Sequence, residues 1–372
     1  MAAPATASPG QRHGDLAARQ FPLVPRPRTA CRPLAERIDR VARLADQAGH
    51  AAGDAQLHAA EAFNLAALIA SDCAMPGLAR DLCWRQFDVF AAAGPYGETT
   101  AKLALQPLIN LARLHIRDGD GDSGYQLLES LYNGARASRT QAAADGRPVD
   151  LAALIAPGDP RQAIVQWLWT VLLSDGLRAL CRAGHWTAAM HQAQRHNGIG
   201  QRLLDGRQIA VLARTASGQH DEAERILQQT TATEPWEHAV AACLRAINRT
   251  PGDPASAPGT TAQMTRAYLA IDAPGHSMFT VRLGLTIAEL SDDPYGRQAV
   301  IDKVRRNAIQ AADAYIAREV LTSPAAALIS HETRTLLNST VHRAGLGNPL
   351  TTAQQQQLMN SIGSATTTLA RT

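Results

Sequence analysis

A chain of 372 residues with 45% apolar and 19% charged residues is long enough for two modest domains or one extended array. Its formal charge of +3 is too small for wrapping a nucleic-acid backbone, which needs a dense cationic stripe. No apolar run reaches 18 residues, so no membrane span is expected. Lysine occurs only at Lys102 and Lys303; arginine and abundant alanine otherwise read as a high-GC coding bias before they read as function.

Residues 1–33 are rich in proline and alanine and carry Arg26, Arg28 and Arg32 near their end. Their one apolar stretch, Phe21-Pro-Leu-Val-Pro25, is too short and too proline-broken for a signal peptide. A disordered arm on a cytoplasmic protein is the expectation. The five cysteines (Cys31, Cys73, Cys83, Cys181, Cys243) are odd in number, scattered and free of C-x-x-C pairs, which argues against a disulfide framework or a zinc site. All but Cys31 sit in apolar helical patterns and read as buried, reduced thiols.

From Leu34 onward the apolar spacing is helical. Leu34, Ile38, Val41, Leu44 and Ala48 recur at three and four, as do Phe63, Ala66, Ala67 and Ala70, then Leu108, Leu111, Ala112 and His115, then Leu173, Leu177 and Leu180. Breaks fall at 74–77, Gly94-Pro95, 118–124, 157–160, Gly218 and 251–254. Period-two runs are missing, so an all-α fold is expected. Residues 133–161 form an insertion, with Leu151 to Ala156 its one short apolar stretch; it reads either as a cap on a groove or as a solvated insertion. Residues 259–372 read as a C-terminal helical region completing or capping the array, with Thr351 as N-cap of a last helix. Of the tryptophans, one of Trp167 and Trp169 should be core and the other partly exposed. Trp186 should be core, and Trp236 could be either.

Gly184, Gly218 and Gly252 are spaced 34 residues apart, and Ala189, Ala223 and Ala257 each follow five residues later. Pro235 comes twelve residues after Ala223, where a helix pair should end. Gly119 to Gly124 and Ala74 to Ala79 share the five-residue offset. A left-handed residue ends one helix, and a small residue five positions on lets the next helix pack closely. This pattern resembles the tetratricopeptide repeat, which implies a right-handed α-solenoid of helix–turn–helix pairs over residues 34–258. It is also similar to the repeat halves that follow a DNA-binding helix-turn-helix in some actinobacterial regulators, but no such N-terminal module is visible and DNA binding is not expected.

Motifs for phosphate loops, dinucleotide binding, nucleophile elbows and zinc helices are missing from the sequence. His331-Glu332 lacks a second histidine one turn on, and His185, His191 and His196 fall on different helix faces, as solvated or capping residues do. Asp118, Asp120, Asp122 and Glu129 match the oxygen spacing of a calcium loop, although Ser123 replaces its glycine and Tyr125 its aliphatic residue. A polar turn opening a helix near Ser123 explains the same residues. No catalytic residue, metal or cofactor is assigned.

The resemblance implies a concave face formed by Asn64, Gln106, Arg113, Arg117, Ser174, Arg178, Arg182, Asp205, Gln208 and Arg249, with Glu61, Ser71 and Asp72 beside them. Its five arginines would suit a partner protein or peptide with an acidic or carboxylate-bearing segment, because guanidinium forks bind carboxylates bidentately. Equally, arginine in such a chain sits on any solvated face. The function expected is a non-catalytic peptide- or protein-binding adaptor or regulator. The alternative is an enzyme or enzyme subunit that modifies a docked peptide, as in bacterial peptide natural-product maturation, with His115, Asp205 and Tyr125 near the groove. Neither membrane nor nucleic acid is an expected partner, and the oligomeric state is left open.

Overall fold

The helical spacing of the sequence becomes packing in a computed structural model that describes residues 9–50, 53–137, 142–249 and 258–371. The fold is all-α apart from one short hairpin. Helix α2 (Leu34–His50) buries Leu34, Ile38, Val41, Leu44, Ala45 and Ala48, the stripe read from the sequence. Helix α3 (Ala55–Asp72) is buried nearly all round through Ala59, Ala60, Ala62, Phe63, Ala66, Ile69 and Ala70. Small side chains on every face let it sit between α2, α4 (Pro76–Ala91) and α19 (Thr352–Leu369).

The chain divides into two compact units, each discontinuous in sequence. Unit I comprises Arg32–Ala179 and His342–Thr372, and unit II comprises Met1–Cys31 and Leu180–Val341. In unit I, helices α2, α3, α4, α5 (Glu98–Arg117) and α6 (Gly121–Arg136) pack each against the next in the chain, and α8 (Asp159–Val171) follows on α6. Thr351 and Gln354 form the capping box of α19, which returns to α2 and α3. In unit II, α10 (Trp186–Arg195), α11 (Asp205–Ala216), α12 (His220–Gln228) and α13 (Pro235–Asn248) are likewise sequential neighbours. Helices α14 (Pro258–Leu269), α15 (Ser277–Leu290), α16 (Pro294–Ala311) and α17 (Ala314–Thr322) continue it.

The repeat anchors are geometric as well as periodic. Ala74, Gly119, Gly184 and Gly218 have φ of 55°, 88°, 78° and 72°, each at the turn between two helices. Ala79, Ala189 and Ala223 are fully buried five residues on, and Gly124 takes the same place with its Cα facing Ile116 and the Ala112 carbonyl. The Gly252–Ala257 anchor lies outside the described residues.

Several expectations change. Of the span read as a disordered arm, Pro9–Gln20 is helix α1, and Leu16, Ala17, Phe21, Leu23 and Cys31 are buried. Proline breaks the periodicity by which burial is recognised, although it leaves an extended chain free to bury alternate apolar residues. The described part of the insertion has structure of its own. A hairpin of β1 (Ala142–Ala144) and β2 (Arg147–Val149) turns at Asp145-Gly146, and α7 (Leu151–Leu154) buries Leu151 and Leu154 against α4 and α6. Its exit is tied by Tyr96, which donates to the Leu154 carbonyl and accepts from the Ala156 amide at 2.9 Å. Residues 259–372 do not form one region but belong to both units. Trp167 and Trp169 are both half-buried, flanking the buried Leu168, whereas Trp186 is core and Trp236 is half-buried edge-on to Phe279.

Candidate functional site

The ten residues assigned to one concave face are divided between the units: Asn64 to Arg178 lie in unit I, and Arg182 to Arg249 in unit II. In unit I, Asn110 collects three polar neighbours. Its carboxamide oxygen accepts from Gln106 at 3.1 Å and Arg113 at 3.3 Å, while its nitrogen donates to Asn64 at 2.9 Å. Arg113 also donates to Asp175 at 2.8 Å. One helical pitch on, Arg117 donates to Ser71 at 2.8 Å and to Asp72 at 3.1 Å. Asp72 is itself buried and pairs with the buried Arg37 at 2.5 Å. Both arginines of this face therefore already meet carboxylates from neighbouring segments.

Ser174 lies within a π-helical turn at Leu172–Gly176, where it donates to the Val171 carbonyl, and Arg178 follows the turn. An extra residue in the turn rotates everything after it by about a quarter-turn or more, so a strict repeat register cannot carry from Ser174 to Arg178 and Arg182. Arg178 is half-buried, Arg182 is exposed, and Arg249 ends α13 half-buried.

In unit II the other two predicted residues, Asp205 and Gln208, come together on the chain's own residues 21–31. These have no helix or strand and follow α1 with a bend at Pro22 and a cis Phe21–Pro22 bond. The Gln208 carboxamide oxygen accepts from the Leu23 amide at 2.8 Å, and its nitrogen donates to the Leu23 carbonyl at 2.9 Å. A primary amide thus reads both main-chain groups of one residue, as a neighbouring strand would. Two further contacts orient Gln208 this way. Its nitrogen also donates to the Leu203 carbonyl at 2.7 Å, and the Leu203 amide donates at 3.1 Å to the buried carboxylate of Glu237. Glu237 further accepts from Arg202, from the amides of Thr233 and Glu234, and from the Thr233 hydroxyl. Burial pushes this carboxyl up, but Arg202 and the amides outweigh it and hold it at about 2. Gly206 completes the frame, since a Cβ there would lie 2.2 Å from the Gly198 carbonyl oxygen.

Asp205, in the first turn of α11, takes Arg26 as a fork, with Nη1 to Oδ1 at 3.1 Å and Nη2 to Oδ2 at 2.5 Å. Further along the segment, Asp313 accepts from the Cys31 amide at 3.1 Å, the Ala314 amide donates to the Cys31 carbonyl at 3.1 Å, and Arg28 lies over the Tyr315 ring at 4.4 Å. Before the segment, Arg19 pairs with Glu289 at 2.8 Å, and Gln20 donates to Glu319 at 3.2 Å and accepts from Arg282 at 3.1 Å. Burial raises the Glu289 carboxyl, and Arg19 offsets part of that rise. The site reads main chain at Leu23 and Cys31 and reads positive charge at Arg19, Arg26 and Arg28.

The residues of the enzyme alternative are dispersed. Asp205 is engaged by Arg26, and Tyr125 donates to Glu129 at 3.3 Å. His115 meets Asp145 at 2.5 Å and lies 3.6 Å from Asp120. The nearby Cys83 thiol is buried and pushed up to about 12 by burial, the opposite of an activated nucleophile. The acidic run is distributed too: Asp120 caps α6 through Ser123, which lowers its carboxyl, and Asp118 pairs with Arg80 at 3.3 Å. Cys31 is buried like the other four cysteines. Among the described residues, no group of three His, Cys, Asp or Glu is placed to hold a metal, and no helix is long and apolar enough to cross a membrane.

Sequence reasoning missed Asn110, Glu237, Asp313 and the Phe21–Arg26 segment. Only the Asp145-Gly146 hairpin carried a local signal, the dipeptide favoured in two-residue turns. No family model, no curated protein and no solved structure matches this chain.

Proposed function

We propose that the helix pairs are degenerate tetratricopeptide-like repeats wound right-handed, and that the chain is a non-catalytic peptide- or protein-binding adaptor or regulator. The observation that carries this reading is Gln208 holding both main-chain groups of Leu23, with Asp205 holding Arg26. Helix-borne side chains that grip an extended polypeptide are the working parts of a peptide-binding module. The arginine face of unit I is the weaker support, because an acidic segment arriving there would have to displace Asp175 and Asp72 from Arg113 and Arg117.

The test is retention of peptides from a mixed library of acidic and basic extended sequences on the immobilised full chain, followed by their intact masses. Unchanged masses on retained peptides are the expected result. A changed mass would make the protein an enzyme and remove the adaptor reading.

A further inference from the structure

Residues 21–31 differ from the rest of unit II in how they are held. The unit's helices bury one another, whereas this segment has no regular structure and is fixed by side chains of α11 and by the Asp313 cap of α17. Two of its anchors are apolar, Phe21 and Leu23, which are 1% and 2% exposed, with the buried Pro22 between them. Three residues on from Leu23, Arg26 reaches Asp205, whose side chain is only 10% exposed. From Arg26 to Arg28 the segment returns toward solvent before Cys31 is buried again. The contacts to main chain ask only for an amide and a carbonyl at the positions of Leu23 and Cys31, while the side-chain contacts ask for aromatic, proline, aliphatic and then arginine.

We propose that residues 21–31 are a resident ligand, and that the same site takes an extended, basic, proline-containing segment of a second polypeptide in their place. This rests on the peptide-binding reading above and specifies its ligand and its regulation. The ligand carries an aromatic–proline–aliphatic triplet with arginine three residues after the aliphatic. Its sign is opposite to that expected from the arginine face, because the carboxylate of Asp205 meets Arg26 within the segment and Glu289 meets Arg19 just before it, while Arg28 shares the Tyr315 ring with Arg318. Regulation follows from tethering. A covalently attached ligand competes at an effective concentration on the order of millimolar, so an incoming segment binds only weakly until the resident one is released.

The experiment uses the full chain and a fluorescent synthetic peptide with the sequence of residues 19–32. Wild type should bind it weakly. The chain carrying Leu23→Asp and Arg26→Glu, with its own segment spoiled, should bind it at least about tenfold more tightly, and adding Gln208→Ala should abolish the gain. No gain in the spoiled chain, or a gain that survives Gln208→Ala, would overturn the proposal. Since Leu23 is buried, a second variant guards against misfolding. The Asp205→Arg chain, which keeps all apolar anchors, should prefer a peptide carrying Arg26→Glu over the native peptide. Equal binding of the two peptides would also overturn it. Failure of both arms while acidic library peptides are still retained would remove this ligand but leave the binding module standing.

Discussion

The two units differ in one use of arginine: both pair it within the scaffold, but unit II also takes it from a segment without helix or strand. In unit I the arginines belong to a helix and their carboxylates to the segments beside it: Arg113 meets Asp175, and Arg117 meets the Asp72 that already holds Arg37. Charge there is compensated within the scaffold. Unit II has scaffold pairs of the same kind, such as Arg202 with Glu237, but there Asp205 also takes Arg26 from a segment without helix or strand, and Glu289 takes Arg19 from the end of α1. The first arrangement is one of construction; the second has the form of recognition. Gln208 sharpens the difference, because its partner is the backbone of Leu23 and not a side chain.

Breaking unit I at Asp72 should have the largest effect. Asp72→Ala leaves the buried Arg37 without its carboxylate and should cost roughly 3–5 kcal/mol in chemical denaturation. Next is acid. The Glu237 carboxyl lies at about 2 against an ordinary 4.5, so its contribution is complete above about pH 4.5 and is lost as the pH falls toward 2. Thermal melts across that window should therefore decline, and Glu237→Gln should flatten the decline. Because Glu237 positions Leu203, which in turn positions Gln208, protection of the Leu23 amide should fall together with it. The smallest effect should be Arg113→Ala. That pair joins an exposed arginine to a half-buried aspartate near the surface, and its loss should cost less than about 1 kcal/mol by the same denaturation measurement.

What could be read from the sequence was what repeats or alternates. The turns at Gly119, Gly184 and Gly218 were legible because a left-handed residue and a small residue five positions later are local requirements. That register put Asp205 and Gln208 on an expected ligand-facing surface; in the structure they contact the chain's own Arg26 and Leu23. The identity of those partners was not legible. Prolines at 22, 25 and 27 erase any period, and contacts between residues 23 and 208 leave no trace in local pattern. Nor could spacing show that Asp175 and Asp72 would neutralise Arg113 and Arg117, since each pairing joins residues more than 40 positions apart. The π-helical turn at Leu172–Gly176 hid the remainder by shifting the register between Ser174 and Arg182.

Within residues 21–31, Phe21, Leu23 and Cys31 are buried in unit II, yet if the segment is a resident ligand it should open separately from the unit's helices. Hydrogen exchange at the Leu23 and Cys31 amides, in wild type and in Gln208→Ala, tests it most directly. The account predicts protection at both amides in wild type, and loss at Leu23 in the variant while the amides of α11, α13 and α15 stay protected. Unchanged protection of Leu23, or its loss only together with the whole of unit II, would contradict it.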